Sequence, residues 1–350
     1  MKCAPGKSQA ASMLVVALTT RMFWGLSLDV PYALNAVWMC PLVGLVLYLP
    51  LAFAISRAGA LESGSPLDNL SHRAPRGMSL AVEIFFTSLL LWDCAATVRL
   101  TASSSNVIAL SDVSVPVLTL PLAIVAGIAV LLGADAEGNS ARIWLRLAPL
   151  LLLIVLIVQL RSYNAGWLTP VLGGGTASIV DGGIFCAGAM SLLSLPWIVA
   201  VPDRNDRGAL RYVALAATAS SVMLISEQML CPLQIKNALT RVARIELVLS
   251  NGRLMLSPQL VVNILWYGSL LHQISTEAAT ASVYLSRVCP GAPIWCWSLL
   301  VFASSLVLPG WDPPALRAYL GWAGMLFVAI GLALALMMTA ATLGKEERKT

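Results

Sequence analysis

The sequence predicts an all-α integral membrane protein, with ten transmembrane helices forming a single membrane domain over residues 1–350. Three observations support this. Of the residues, 58% are hydrophobic and 11% charged, where a soluble domain is about a quarter charged; mean hydropathy is +0.82. Ten apolar segments each approach the roughly 20 residues that cross a hydrocarbon core. The basic residues are distributed as the positive-inside rule requires.

The segments run 9–29, 36–56, 78–108, 113–133, 143–161, 177–200, 209–230, 258–286, 293–309 and 318–341. The third and eighth are long enough to tilt or to project beyond the bilayer. With the N-terminus inside, 14 of the 22 Lys and Arg fall in cytoplasmic segments and six in outer ones. Both termini are therefore expected in the cytoplasm. The opening "MKCAPGKSQAAS" leads into an apolar run with no small-residue cleavage site after it, so that run reads as a retained span. The outer loop 231–257 holds "LQIKNALTRVARIELVL", whose apolar residues follow helical spacing. It reads as an amphipathic helix lying on the outer rim.

Composition argues against several function classes. The net charge of +5 is scattered through loops and leaves no nucleic-acid footprint. The seven cysteines show no CxxC or CxH spacing and mostly sit in apolar segments, where they act as small hydrophobes. Two histidines, His72 and His272, are too few for a His-based metal site. Neither HExxH nor GxSxG occurs. No enzymatic activity, metal or cofactor is expected.

Ionisable groups inside a membrane are costly and usually face a partner or a water-filled cavity. Arg21 lies twelve residues into span one and Asp93 about fifteen into span three, running the same way. Their similar depth predicts an ion pair that either locks the helices or serves a ligand. Arg99 also falls within span three. On span eight, His272, Thr276 and Thr280 recur every four residues and form one polar stripe, with Glu277 one residue round from it. Such a stripe either bonds neighbouring helices or forms a cation or proton site. Asp93, Arg99, Thr276, Glu277 and Thr280 are thus the candidate ion or gating residues. Glu83 and Glu227, near span ends, are expected to reach water.

Two segments five spans apart share a pattern. "TTRMFWGLSLDVPY" (19–32) and "SIVDGGIFCAGAMSLLSLPW" (178–197) each place an aromatic beside small residues, then a Ser-Leu run, then proline and an aromatic. Corresponding Gly/Pro-interrupted helices in two halves mark an inverted-repeat transporter architecture with its site at mid-membrane. Breaks are expected in helices 1 and 6, with Gly183 and Gly188 opposite Gly25. The two repeats would span about 9–161 and 177–341. Gly173, Gly174 and Gly175 read instead as an outer linker.

Three stretches in matching order carry a family resemblance: "LLLWDCAATVRLTASSS" (89–105), "WLTPVLGGGTASIV" (167–180) and "LSPQLVVNILWYGSLLHQISTEAATASVYLSRV" (256–288). They resemble spore germination proteins of the GerB type, the ten-span subunits of nutrient germinant receptors. The resemblance implies the amino acid–polyamine–organocation superfamily and a LeuT-like 5+5 inverted repeat. It implies residence in the inner membrane of the bacterial endospore, and assembly with an A-type membrane subunit and a C-type lipoprotein. It implies binding of a small nutrient, often an amino acid, that triggers germination through ion release. By position, the pocket would comprise Thr20, Arg21, Gly25, Gly183, Phe185, Gly188 and Ser191. Phe23 stands where relatives carry a glycine, which would narrow the pocket. The alternative is an amino acid secondary transporter coupled to H⁺ or Na⁺.

Overall fold

The computed structural model describes residues 5–59, 76–108, 112–160, 163–169, 171–200, 209–230, 258–289, 291, 293–307, 322–333 and 336. The outer loop 231–257 and the charged segment 203–207 lie outside the described residues. In chain order the longer helices are α1 (Lys7–Ala33), α2 (Cys40–Gly59), α3 (Arg76–Ile108), α4 (Val115–Leu132) and α5 (Ala134–Gln159). They continue with α6 (Thr176–Leu193), α7 (Ala209–Leu230), α8 (Pro258–Val288) and α9 (Ile294–Val307). A shorter apolar helix, α10 (Trp322–Ala333), follows. A 3-10 segment, Leu34–Met39, joins α1 to α2, and a short helix, Leu195–Val199, follows α6.

Among the described residues, five stretches are long and apolar enough to cross a membrane: Leu34–Ser56, Leu80–Ser103, Val115–Leu132, Ala134–Ile157 and Thr176–Ile198. Their outward faces are apolar. On α4, Val117, Leu120, Ile124, Ile128 and Leu131 are exposed; on α5, Ile143, Leu147, Leu150, Ile154 and Ile157 are. Those spacings of three and four place each set on one helical stripe. A stripe of exposed isoleucine and leucine is stable against lipid and costly against water.

Helix α8 lies at the centre, packed on α3, α4, α5 and α1. Helix α2 lies along α6, and α1 contacts α5, α6 and α7. Lipid gives helices no hydrophobic reason to associate, so close approach and polar contacts must hold them. Close approach comes from small residues: Ala10, Ala17, Cys94, Ala126, Ala216, Ala278 and Ala281 are all buried.

The fifth helix starts at Ala134, well before the expected 143. Its polar opening, "ADAEGNSAR", lowered the hydropathy there, yet these residues are helical. Gly133, with φ of 85°, ends α4 and starts α5, and Asp135 and Glu137 sit in the first turn, where carboxylates complement the helix dipole. Glu83 and Glu227 do not reach water; both are buried, Glu83 lying 3.6 Å from Arg287.

The expected helix breaks at the glycines are not present. α1 runs unbroken through Gly25, and α6 through Gly183 and Gly188. The glycines instead permit close packing. A Cβ on Gly25 would overlap the Phe185 ring, one on Gly183 would lie 2.5 Å from Val43, and one on Gly188 would lie 2.6 Å from the Gly324 carbonyl oxygen. The interruption of helix six comes later, at Ser194, before Pro196, whose ring nitrogen cannot donate to the helix ladder. Tyr48 and Ser194 hydroxyls hydrogen-bond across it at 2.6 Å. The linker glycines precede helix six as expected: α6 begins at Thr176, just after Gly175 with φ of 88°.

Candidate functional site

The site is built where α1, α3 and α8 meet. Arg21 donates from Nη2 to Asp93 Oδ1 at 2.6 Å, the ion pair expected from their matching depth. Their side chains are 6% and 0% exposed, so water screens neither charge. Arg21 Nη1 reaches Thr97 Oγ1 at 3.4 Å, one turn further along α3. From α8, Gln273 Nε2 donates to Glu277 Oε1 at 2.8 Å and to Thr97 Oγ1 at 3.2 Å. The Thr97 hydroxyl lies 3.4 Å from Glu277 Oε1. Asp93 and Glu277 are near enough for their charges to interact.

The network is not closed. Asp93 Oδ2 and Glu277 Oε2 are buried with no hydrogen-bond partner among the described residues. A buried carboxylate oxygen left so is costly. One guanidinium faces two carboxyls, leaving the cluster one positive charge short when both are ionised. A proton, a cation or a ligand ammonium removes that deficit.

A small cavity adjoins the pair. Arg21 and Asp93 form its polar wall; Phe185, Ala189 and Leu192 of α6 and Gly324 and Phe327 of α10 form the apolar one. It has room for about one water molecule. A ligand larger than that would fit only with α6 and α10 further apart.

The structure brings together some of the residues singled out from sequence. Arg21, Phe185 and Asp93 line the cavity. Glu277 joins the cluster behind it. Thr20 does not: its hydroxyl donates to Val16 O of its own helix at 2.7 Å. Gly25 sits against the Phe185 ring, supporting the wall from behind, and Gly183 faces α2. Gly188 backs onto Gly324, while Ser191 donates to Ala187 O and abuts Gly331. Phe23 does not narrow the cavity; it packs edge-on against Trp266 of α8. Among the described residues Arg99 makes no hydrogen bond to the cluster, and its buried Nε has no partner. Thr276 and Thr280 are buried, their hydroxyls without a hydrogen-bond partner among the described residues, and His272 faces Glu137 of α5.

Residues that sequence reasoning missed are Thr97, Gln273, Gly324 and Phe327. Gln273 was legible as the residue four before Glu277, and Thr97 as the residue four after Asp93. Gly324 and Phe327 carry no signal beyond an apolar helix.

No protein-family model matches the chain, and no curated protein does. Solved structures of the Eremococcus coleocola manganese transporter are similar. Two mutant forms give TM-scores of 0.56 and 0.55, and a complex with an aromatic bis-isothiourea substituted compound gives 0.53. Each has 13% identity and covers 95% of this chain and 78% of the transporter. At that identity the likeness establishes the fold: the chain is an integral membrane protein with the architecture of LeuT-fold transporters.

Proposed function

We propose that the chain binds a small amino-acid-like solute in the cavity between α1, α3, α6 and α10, and that binding is linked to uptake of a proton or monovalent cation. The observation behind this is the buried Arg21–Asp93–Glu277 cluster, whose Arg21 and Asp93 line a cavity and whose Glu277 lies behind it. A ligand carboxylate suits Arg21, and a ligand ammonium suits Asp93 Oδ2. A zwitterion leaves the net deficit in place, so a proton or Na⁺ at Glu277 completes the balance. This reading favours binding and transport over catalysis. The manganese of the neighbours' name is not carried over: among the described residues no group of three or more His, Cys, Asp or Glu is placed to hold a metal ion.

The layout we favour is a 5+5 repeat over about 9–161 and 177–341, with both termini cytoplasmic. The packing of α1 on α6 and of α3 on α8 supports it. The test is uptake of labelled amino acids into proteoliposomes under an imposed pH or Na⁺ gradient. Gradient-dependent uptake supports coupled transport; binding without uptake argues against it.

A second reading is favoured by the three ordered stretches that resemble GerB-type proteins. Here the same pocket senses a germinant as part of a receptor in the endospore inner membrane, partnered by an A-type subunit and a C-type lipoprotein. Co-purification of those partners, with ligand binding but no uptake, would favour the receptor.

A further inference from the structure

A second buried ionisable pair lies on the neighbouring face of α8. His272 Nδ1 is 2.9 Å from Glu137 Oε1 of α5, with side chains 15% and 9% exposed. The Trp144 ring lies against the imidazole, with centroids 5.5 Å apart. We propose that Glu137 and His272 form a proton-binding site at the junction of α5, α8 and α1, separate from the Arg21 cavity and independent of what that cavity binds.

The surroundings are built for such a pair. Trp144 is docked onto α8 by two further features: Gly268, where a Cβ would overlap the indole, and Ser269, whose Oγ accepts from Trp144 Nε1 at 3.1 Å. The indole thus covers the imidazole and limits its contact with surroundings. Thr276, one turn beyond His272, lies near the Glu137 carboxyl, yet its buried hydroxyl has no hydrogen-bond partner of good geometry. Thr280, a turn further on, is also unpartnered. The Thr276 hydroxyl is placed to answer a change of protonation at the Glu137 carboxyl.

The charges around the pair are countable. Helix α4 offers none over 115–132. Helix α5 carries Asp135, Arg142 and Arg146 besides Glu137, and α1 carries Lys7, Arg21 and Asp29. Helix α3 carries Arg76, Glu83, Asp93 and Arg99, and α8 itself carries Glu277 and Arg287. Among the described residues His272 makes its one ion pair with Glu137, and Arg142 donates instead to Asn139 at 3.3 Å. The step is a simple one. On acidification hydronium gives its proton to the free imidazole nitrogen, one O–H bond breaking as the N–H bond forms and water departing, and the resulting imidazolium stays paired with the Glu137 carboxylate. Its effect can reach α1 because Gly138, next to Glu137, seats Gln9, whose Nε2 donates to Asp135 O and Asn139 Oδ1, each at 3.2 Å.

The test uses Trp144 as a reporter, since an imidazolium quenches an adjacent indole more than a neutral imidazole does. Intrinsic fluorescence of the full chain in detergent is titrated over about pH 5 to 8, where histidine changes charge. The wild type should show a quenching step on acidification. Trp144→Phe should lose it through the reporter and His272→Gln through the titrating group, and Glu137→Gln should move its midpoint. Trp144→Phe keeps the pair and guards against misreading a folding defect. A wild type without a step, or a step unchanged in both Trp144→Phe and His272→Gln, overturns the proposal.

Discussion

Two polar clusters share helix α8 on interleaved residues and differ in charge balance. Gln273 and Glu277 face α1 and α3, where two carboxyls meet one guanidinium beside a cavity. His272 and Thr276 face α5, where one carboxylate meets one imidazole beneath an indole. The first is open, with carboxylate oxygens lacking partners. In the second, the carboxylate and the imidazole are joined by a direct contact of 2.9 Å. Burial alone therefore does not mark a ligand site in this molecule; unbalanced charge beside a cavity does.

The comparison can be broken most forcefully at Arg21. Arg21→Met leaves Asp93 and Glu277 buried without a counter-charge and should cost about 3–5 kcal/mol, read as unfolding in detergent. The exchanged pair, Arg21→Asp with Asp93→Arg, should recover part of the loss. Unchanged stability in Arg21→Met would break the electrostatic account of the cluster.

Next come the glycines that seat each cluster's neighbour. Gly188→Val drives a side chain into the Gly324 backbone behind the cavity, and Gly268→Ala lifts Trp144 off α8. Each should destabilise by about 1–3 kcal/mol, as overpacking does. Only Gly268→Ala should alter Trp144 fluorescence. If both variants alter it, the clusters are not structurally separate.

The smallest effects are the most diagnostic. Glu277→Gln removes the surplus negative charge and should leave the melting temperature unchanged or raise it. Glu137→Gln removes the partner of His272 and should lower stability by about 1 kcal/mol. Equal effects of the two amides would erase the distinction in charge balance.

The helical outline of the fold was legible because apolar runs report candidate membrane spans directly. The Arg21–Asp93 pair was legible because residue count measures depth along a helix. Glu137 was not, because a hydropathy reading starts the fifth helix at 143 and leaves a polar helical turn outside it. The glycines were misread for a physical reason. A missing Cβ serves a broken helix and a tightly packed one equally well, and only the neighbours decide. Gly25 meets Phe185 and Gly188 meets Gly324, so packing is their role here. The break falls beside Pro196, yet proline alone does not mark it either, since Pro50, Pro121 and Pro149 lie inside continuous helices.

The central claim is that the cavity beside Arg21 and Asp93 is the ligand site. The direct measurement is thermal stabilisation in detergent by a panel of amino acids, comparing the wild type with Ala189→Leu. Ala189 lines the cavity from α6 and carries no polar contact, so the larger side chain fills the space while sparing the cluster. At least one amino acid should stabilise the wild type and leave the folded variant unmoved. The same stabilisation in both, or none in the wild type, would contradict the claim.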